Sequence, residues 1–270
     1  MAEDVLDAKV LAVRAGLRRH GRVLVAFSGG ADSALLAWLA HDTLGPGRAR
    51  AVTAVSPSLA PEEEADCAAL AAEWGLAWEP VATDELANPA YRANDGQRCF
   101  HCKASLMEAL ERRRGEATVV LGVNTDDLGD HRPGQAAAAA AGAAFPFVDA
   151  GLTKADVRAI SRRLGLRTWD KPAAACLASR LPYGTPVTLG TLRSVAVAES
   201  GLRALGFRSL RVRHYGELAR IEVPVDELPA VVSQRRQVLA AVRAAGYRYV
   251  TLDLDGLRSG NLNDALGPSR

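Results

Sequence analysis

Residues 23–40 read VLVAFSGGADSALLAWLA. Five apolar residues, Val23 to Phe27, carry a buried-strand pattern. The chain then turns through Ser28, Gly29, Gly30, Ala31, Asp32 and Ser33 and resumes with helical periodicity. A strand, a tight glycine turn and a helix start in immediate succession leave little freedom in fold. They also make an anion cradle: glycines let the backbone come close, the first helical N–H groups lack internal partners, and the helix dipole favours negative charge there. A plain strand-to-helix turn capped by Asp32 or Ser33 is the simpler reading. Two glycines, two hydroxyls and an acid in one turn weigh against it.

Further along, Ala49 to Val55 reads as a second strand after a helix from Ser33 to about Leu44 that stops at Gly45-Pro46-Gly47. Pro61 to Trp74 opens with a proline and three glutamates, a helix N-terminal signature. Trp78 to Ala82 and Val119 to Val123 supply third and fourth strands, Phe147 to Asp149 a short further one, and residues 4–20 and about 153–164 further helices. The alanine run 136–141 reads as a packed helix. This alternation predicts an α/β fold, a doubly wound parallel sheet with helices on both faces. At 270 residues with 49% hydrophobic content, the chain has material for one large core or two modest ones.

Composition narrows the function classes. A formal net charge of +2 is far from the footprint of a dedicated nucleic-acid binder and suits small anionic ligands better. Only four of the 33 basic residues are lysine, a skew that strips arginine abundance of functional meaning. No apolar run is long enough to span a bilayer, and the acidic start MAEDVLDAK lacks a signal-peptide core, so a cytoplasmic location is expected. Four cysteines without framework spacing do not make a disulfide scaffold.

Three stretches carry chemistry-bearing residues. Arg98-Cys99-Phe100-His101-Cys102-Lys103 holds a CxxC pair, which serves as half a zinc site, as a redox pair, or as nothing; no second CxxC occurs. Cys67, among alanines of a helix, reads as a small buried hydrophobe. Gly122 to Gly134, GVNTDDLGDHRPG, leaves the carboxyl end of the fourth strand and should face the Ser28–Ser33 turn. Its acids, Asp127 among them, suit Mg²⁺ beside a triphosphate, or simply a turn. In the third stretch, residues 169–184, Cys176 lies near Ser179 and near Lys171 and Arg180, and nearby cations raise a thiolate fraction, although free cysteines are more often buried and inert.

Beyond Gly184 the pattern becomes helix (Leu192–Leu205), strand (Ser209–His214), strand (Ala219–Val223), helix (Leu228–Ala245), strand (Tyr249–Leu254), a small α+β unit. The expected domains are therefore 1–184 and 185–270. Period two puts Arg211 and Arg213 on one face of a strand, as a phosphate seat or a polar surface, where Glu222 and Glu199 stand to meet them.

The Ser28–Ser33 turn resembles the SGGxDS pyrophosphate loop of the adenine-nucleotide α-hydrolase, or ATP pyrophosphatase, superfamily, with Ala31 where valine is more usual. It lacks the ending of a Walker A loop and the spacing of a dinucleotide fingerprint. With RCFHCK at 98–103, GVNTDDLGDHRPG at 122–134, KPAAACLASRLPYG at 171–184 and RVRHYGELARIEV at 211–223, nearly the whole chain is similar to the ATP-dependent sacrificial sulfur transferases of the LarE family, which make the nickel-pincer cofactor of lactate racemase.

That resemblance implies ATP on Ser28, Gly29, Gly30, Asp32 and Ser33, Mg²⁺ with it, and adenylation of a carboxylate of pyridinium-3,5-biscarboxylic acid mononucleotide. Cys176 would then form a thioester and lose its sulfur by elimination, leaving dehydroalanine. Arg211, Arg213 and Arg180 are the expected seat for the substrate phosphate. Glu199, Glu222 or Asp226 would act as elimination base or hold a second divalent ion. Relatives form homohexamers, so a homo-oligomer is expected, with no nucleic-acid or membrane partner. An iron–sulfur variant would need Cys176 to converge with Cys99 and Cys102. Other readings on the same loop are a tRNA thiolase, an ammonia-using synthetase and a nucleotide-binding regulator.

Overall fold

The computed structural model describes residues 2–129, 133–172 and 176–258. Along the chain run α1 (Ala2–His20), β1 (Val23–Ala26), α2 (Ala31–Leu44), β2 (Ala49–Val55), α3 (Pro61–Trp74), β3 (Ala77–Ala82), α4 (Pro89–Arg92), α5 (Arg98–Arg114), β4 (Thr118–Leu121), α6 (Pro133–Ala140), α7 (Pro146–Asp149) and α8 (Lys154–Arg163). There follow α9 (Leu189–Ala204), β5 (Arg211–Tyr215), β6 (Leu218–Glu222), α10 (Leu228–Ser233), α11 (Arg235–Ala244) and β7 (Tyr249–Leu252). They divide into two units: Met1–Ser56, Pro61–Glu85 and Cys99–Ala174 form the first, and Pro57–Ala60, Leu86–Arg98 and Ala175–Arg270 the second.

In the first unit four parallel strands are ordered β3-β2-β1-β4. Alternation along β1 explains why both faces are covered. Val23 and Val25 join a core with Leu35, Leu36 and Leu39 of α2 and Val157 and Ile160 of α8. Leu24 points the other way, into a core with Met107 and Leu110 of α5 and Ala138 of α6. This is the expected doubly wound α/β arrangement. The α8 start carries a capping box between Thr153 and Asp156, as its sequence requires.

Two expected elements differ. Phe147 to Asp149 is not a strand but part of the helical turn α7, because Pro146 at the first helical position pre-sets the backbone for it. The sheet is extended instead by a single parallel bridge, Val120 to Ala144. The helix expected over Leu228–Ala245 is two helices. Gln234 (φ −93°, ψ 19°) departs from helical geometry at their junction, and the Ser233 hydroxyl caps back onto the Ala230 carbonyl at 2.9 Å.

The second unit holds a three-stranded sheet in the order β5-β6-β7. The pair β5/β6 is the expected antiparallel hairpin, and β7 lies parallel to β6. Its core packs Ala198 and Leu202 of α9 and Val238 and Val242 of α11 on Val212, Ala219 and Ile221 of the sheet.

Candidate functional site

The strand order places a topological switch between β1 and β4, since β1 turns to β2 on one side and to β4 on the other. Loops leaving the carboxyl ends of such strands enclose a crevice, the usual ligand position in open α/β sheets. Both loops singled out in the sequence lie there. Gly29 adopts φ +69°, the left-handed region that glycine alone enters cheaply. Gly30 is the N-cap of α2, and no side chain caps that helix end. Ser33 shapes the turn: its Oγ accepts the Ser28 N–H at 3.2 Å, donates to the Gly30 carbonyl at 3.2 Å, and lies 3.1 Å from Ser28 Oγ.

The facing loop is fitted to this turn. Asn124 Nδ2 donates to Asp32 Oδ1 at 3.0 Å, and Lys154 Nζ forms an ion pair with Asp32 Oδ2. Asp127 Oδ2 accepts the Asn124 N–H at 3.1 Å, and Asp126 Oδ2 accepts the Lys154 N–H at 2.9 Å. Asp130, His131 and Arg132 of this loop lie outside the described residues. A Cβ on Gly122 would stand 2.8 Å from the Asp32 carbonyl carbon and from the Ser33 nitrogen, both backbone atoms. Gly122→Ala should therefore lose about 1–3 kcal/mol of stability through overpacking. Urea unfolding measures this, and an unchanged midpoint would show that the loop simply moves aside.

Behind the turn stand two groups whose place no sequence pattern indicated. Cys67 is fully buried, and its Sγ would be 2.9 Å from a Cβ on Gly29; burial pushes its thiol up. Lys171 Nζ would be 3.7 Å from the same Cβ and is held by Asp66 at 2.7 Å and Glu63 at 2.8 Å. Burial works against its ammonium, yet these bonds outweigh it and raise the pKa. Cys99 and Cys102 occupy the first turn of α5, Cys99 exposed and Cys102 half-exposed. Among the described residues no group of three or more His, Cys, Asp or Glu side chains is arranged to hold a metal ion.

The second unit gathers the other candidates. Cys176 is half-buried and precedes a 3-10 turn, Leu177–Arg180, whose Leu177 N–H donates to the Ser58 carbonyl at 2.8 Å. Arg180 donates from Nε to Glu199 Oε1 at 2.8 Å and from Nη1 to the Cys176 carbonyl at 3.4 Å. Glu199, with no exposed surface, also accepts from Arg203 at 2.9 Å and from the Val212 N–H at 3.0 Å. Arg213 grips both oxygens of the equally buried Glu222 from Nε, each at 3.0 Å, and donates from Nη1 to the Ser179 carbonyl at 2.8 Å. Arg220 meets Glu222 at 3.1 Å.

Both glutamates named as metal or base candidates thus face guanidinium groups. Arg211 is half-buried and donates to the Arg258 carbonyl at 3.0 Å. Burial first, then the Arg213 and Arg180 guanidiniums beside it, hold its pKa below the ordinary arginine value. Arg180 and Arg213, each held by a buried glutamate, thus meet the segment Cys176–Arg180, with Arg211 beside them.

Asn94 was not foreseen. Fully buried at φ 54°, it donates to the Pro182 carbonyl at 2.8 Å and the Thr185 carbonyl at 2.9 Å, and its Oδ1 accepts from Arg98 Nη1 at 2.6 Å. Arg98 in turn donates to the Ala178 carbonyl at 2.9 Å. The pair braces the segment after Cys176, and the only sequence signal was an asparagine before Asp95-Gly96, a turn-forming context.

No model of a known protein family matches the chain. A protein of Lactiplantibacillus plantarum, pyridinium-3,5-bisthiocarboxylic acid mononucleotide synthase, is 37% identical over 264 residues, 97% of this chain and 96% of the relative. The chain belongs to the LarE family. Uncharacterized protein slr1717 of Synechocystis is 44% identical over 97% of this chain and 99% of its own length. Uncharacterized protein MJ0830 of Methanocaldococcus jannaschii is 25% identical over 89% and 92%. The LarE alignment runs through both units, so the glycine turn and the Cys176 segment belong to one family architecture. Among the described residues no helix is long and apolar enough to cross a membrane.

Proposed function

We propose that this LarE-family chain transfers sulfur to a carboxylate of pyridinium-3,5-biscarboxylic acid mononucleotide at the expense of ATP. The observation that carries this reading is the full-length similarity to the synthase of the bisthiocarboxylic acid mononucleotide. The glycine turn fits the nucleotide: an uncapped α2 N-terminus, a left-handed Gly29 and a facing loop fitted to it by Gly122 suit the β- and γ-phosphates. Ser28, Gly29, Gly30, Asp32 and Ser33 line that seat, and Asp127 braces the loop opposite. Mg²⁺ bound with the triphosphate would offset part of its charge.

A carboxylate is a poor electrophile until one oxygen becomes a good leaving group, which is what AMP provides once pyrophosphate has left. The Cys176 thiolate attacks the activated acyl carbon and AMP departs, giving a thioester. A base then removes the Cα proton of Cys176 and the Cβ–S bond breaks. Sulfur stays on the product as a thiocarboxylate, and dehydroalanine remains in the chain. Arg211, Arg213 and Arg180 seat the substrate phosphate. We assign Glu199 and Glu222 the task of holding Arg180 and Arg213 in place, since their oxygens accept from those guanidiniums. Each chain acts once, so two are consumed per product.

Intact mass after incubation with ATP, Mg²⁺ and the dicarboxylate mononucleotide tests this. The expected result is loss of the mass of H₂S at Cys176 in step with product. Product accumulating over many turnovers at constant protein mass would overturn the sacrificial step, and a brown protein after anaerobic purification would favour an iron–sulfur cluster instead.

A further inference from the structure

Position 53 on β2 shares its sheet face with Ala49 and Ala51, both in the apolar core against α2. It carries a hydroxyl there, with Thr53 only 2% exposed. Every bond of that hydroxyl leads to the phosphate turn or braces it. The β1/β2 register ends at Ala26 and Val52, and Phe27, the last residue before the turn, donates its N–H to the Val52 carbonyl at 2.8 Å. Thr53 Oγ1 donates to the Phe27 carbonyl at 2.7 Å. Trp78 Nε1, reaching across from β3, donates to Thr53 Oγ1 at 2.8 Å, which fixes where the hydroxyl proton points. Cys67 stands behind the same turn, its Sγ 2.9 Å from where a Cβ on Gly29 would be. Valine would fill this space but leave the Trp78 Nε1–H and the Phe27 carbonyl without the hydroxyl that joins them. Packing alone does not call for it.

We propose that Thr53 is a positioning residue of the phosphate turn: its hydroxyl, oriented by Trp78, sets the Phe27 carbonyl and with it the entry of the chain into the turn at Ser28. It touches no substrate atom. Its effect is on where the Ser28–Ser33 N–H groups converge, and hence on ATP binding, not on the later chemistry at Cys176. The inference rests on the reading of this turn as the ATP-phosphate site.

The test compares wild type, Thr53→Val and Thr53→Ser by calorimetric ATP titration, by the single-turnover rate of pyrophosphate release against ATP concentration, and by melting midpoint without ATP. Loss of one buried hydrogen-bonding partner is expected to raise the Kd and the half-saturating ATP concentration of Thr53→Val about tenfold. The rate at saturating ATP should stay within about twofold, and Thr53→Ser should restore ATP binding to within about twofold of wild type. Thr53→Val with wild-type ATP affinity, or Thr53→Ser as impaired as Thr53→Val, overturns the assignment. Should Thr53→Val fail to fold, Trp78→Phe removes only the donor to the hydroxyl. A rise of about threefold in half-saturating ATP is then expected, and an unchanged value overturns the proposal. Wild-type protein that binds no ATP overturns the reading of the turn together with this inference; wild-type binding with an unaffected Thr53→Val overturns this inference alone.

Discussion

Cys176→Ala protein should form no thiocarboxylate at all, yet still release pyrophosphate from ATP when the dicarboxylate mononucleotide is present. The two halves of the proposed reaction use different residues. Adenylation needs the glycine turn of the first unit and a substrate carboxylate, neither of which involves the thiol. Sulfur transfer as proposed needs the thiol itself, because the sulfur of the product would be the one that leaves Cβ. Alanine supplies neither nucleophile nor sulfur, so the loss is complete and not a matter of degree. Among the described residues the Cys176 side chain makes no capping bond to the 3-10 turn; the Cys176 carbonyl accepts from Ser179 N–H at 2.9 Å and from Arg180. The variant should therefore fold normally. Paired assays of pyrophosphate and of product by mass spectrometry check this, and continued product formation by Cys176→Ala would make the cysteine incidental, as an ammonia-using synthetase requires.

The largest effect on stability is expected at Glu199. Its side chain is fully buried and offers oxygens to Arg180, to Arg203 and to the Val212 N–H. Glu199→Ala leaves the Arg180 guanidinium, 7% exposed, without that counter-charge and the β5 backbone donor without that acceptor. Breaking a buried pair from one side costs about 3–5 kcal/mol, because the stranded charge keeps its desolvation penalty. Replacing both partners by apolar residues would cost much less, so Arg180→Met in the Glu199→Ala background should recover part of the loss. Urea unfolding of the two single variants and the double variant gives the coupling. A Glu199→Ala protein as stable as wild type would mean that the pair contributes nothing, and would return Glu199 to the candidates for base or metal ligand.

Local chemistry made much of this molecule legible. The run Val23–Ala40 announces its strand, turn and helix because each needs only neighbouring residues: β-branched apolar positions, glycines where the backbone must bend, and a helix that follows at once. The Thr153/Asp156 capping box and the Pro61-Glu62-Glu63-Glu64 helix start are legible for the same reason. Where a short signal competed with a wider context, reading along the chain failed. Phe147-Val148-Asp149 has strand composition, but Pro146 sets the backbone for a helical turn. Nothing in Leu228–Ala245 marks Gln234 as a break, a residue with no special propensity that departs from helical geometry beside the Ser233 hydroxyl bonded back to Ala230.

The sites divide along the same line. Motif residues single out the glycine turn and the cysteine, and the period of a strand puts Arg211 and Arg213 on one face. Which acid each arginine meets is a matter of distance in space. Glu222 falls to Arg213 and Glu199 to Arg180, although the sequence pairs neither more strongly than the other. The second unit recruits residues 57–60 and 86–98 from far upstream, so that Asn94 and Arg98 brace the segment after Cys176. Thr53 looks like one more β-branched residue of a strand until Phe27 and Trp78 are seen to meet at its hydroxyl. The sequence by itself determined the local conformations and the chemistry available, because propensity and covalent identity act over a few residues. Only the tertiary structure decided which charges are paired and which backbone groups are braced, because those depend on contacts between residues tens of positions apart.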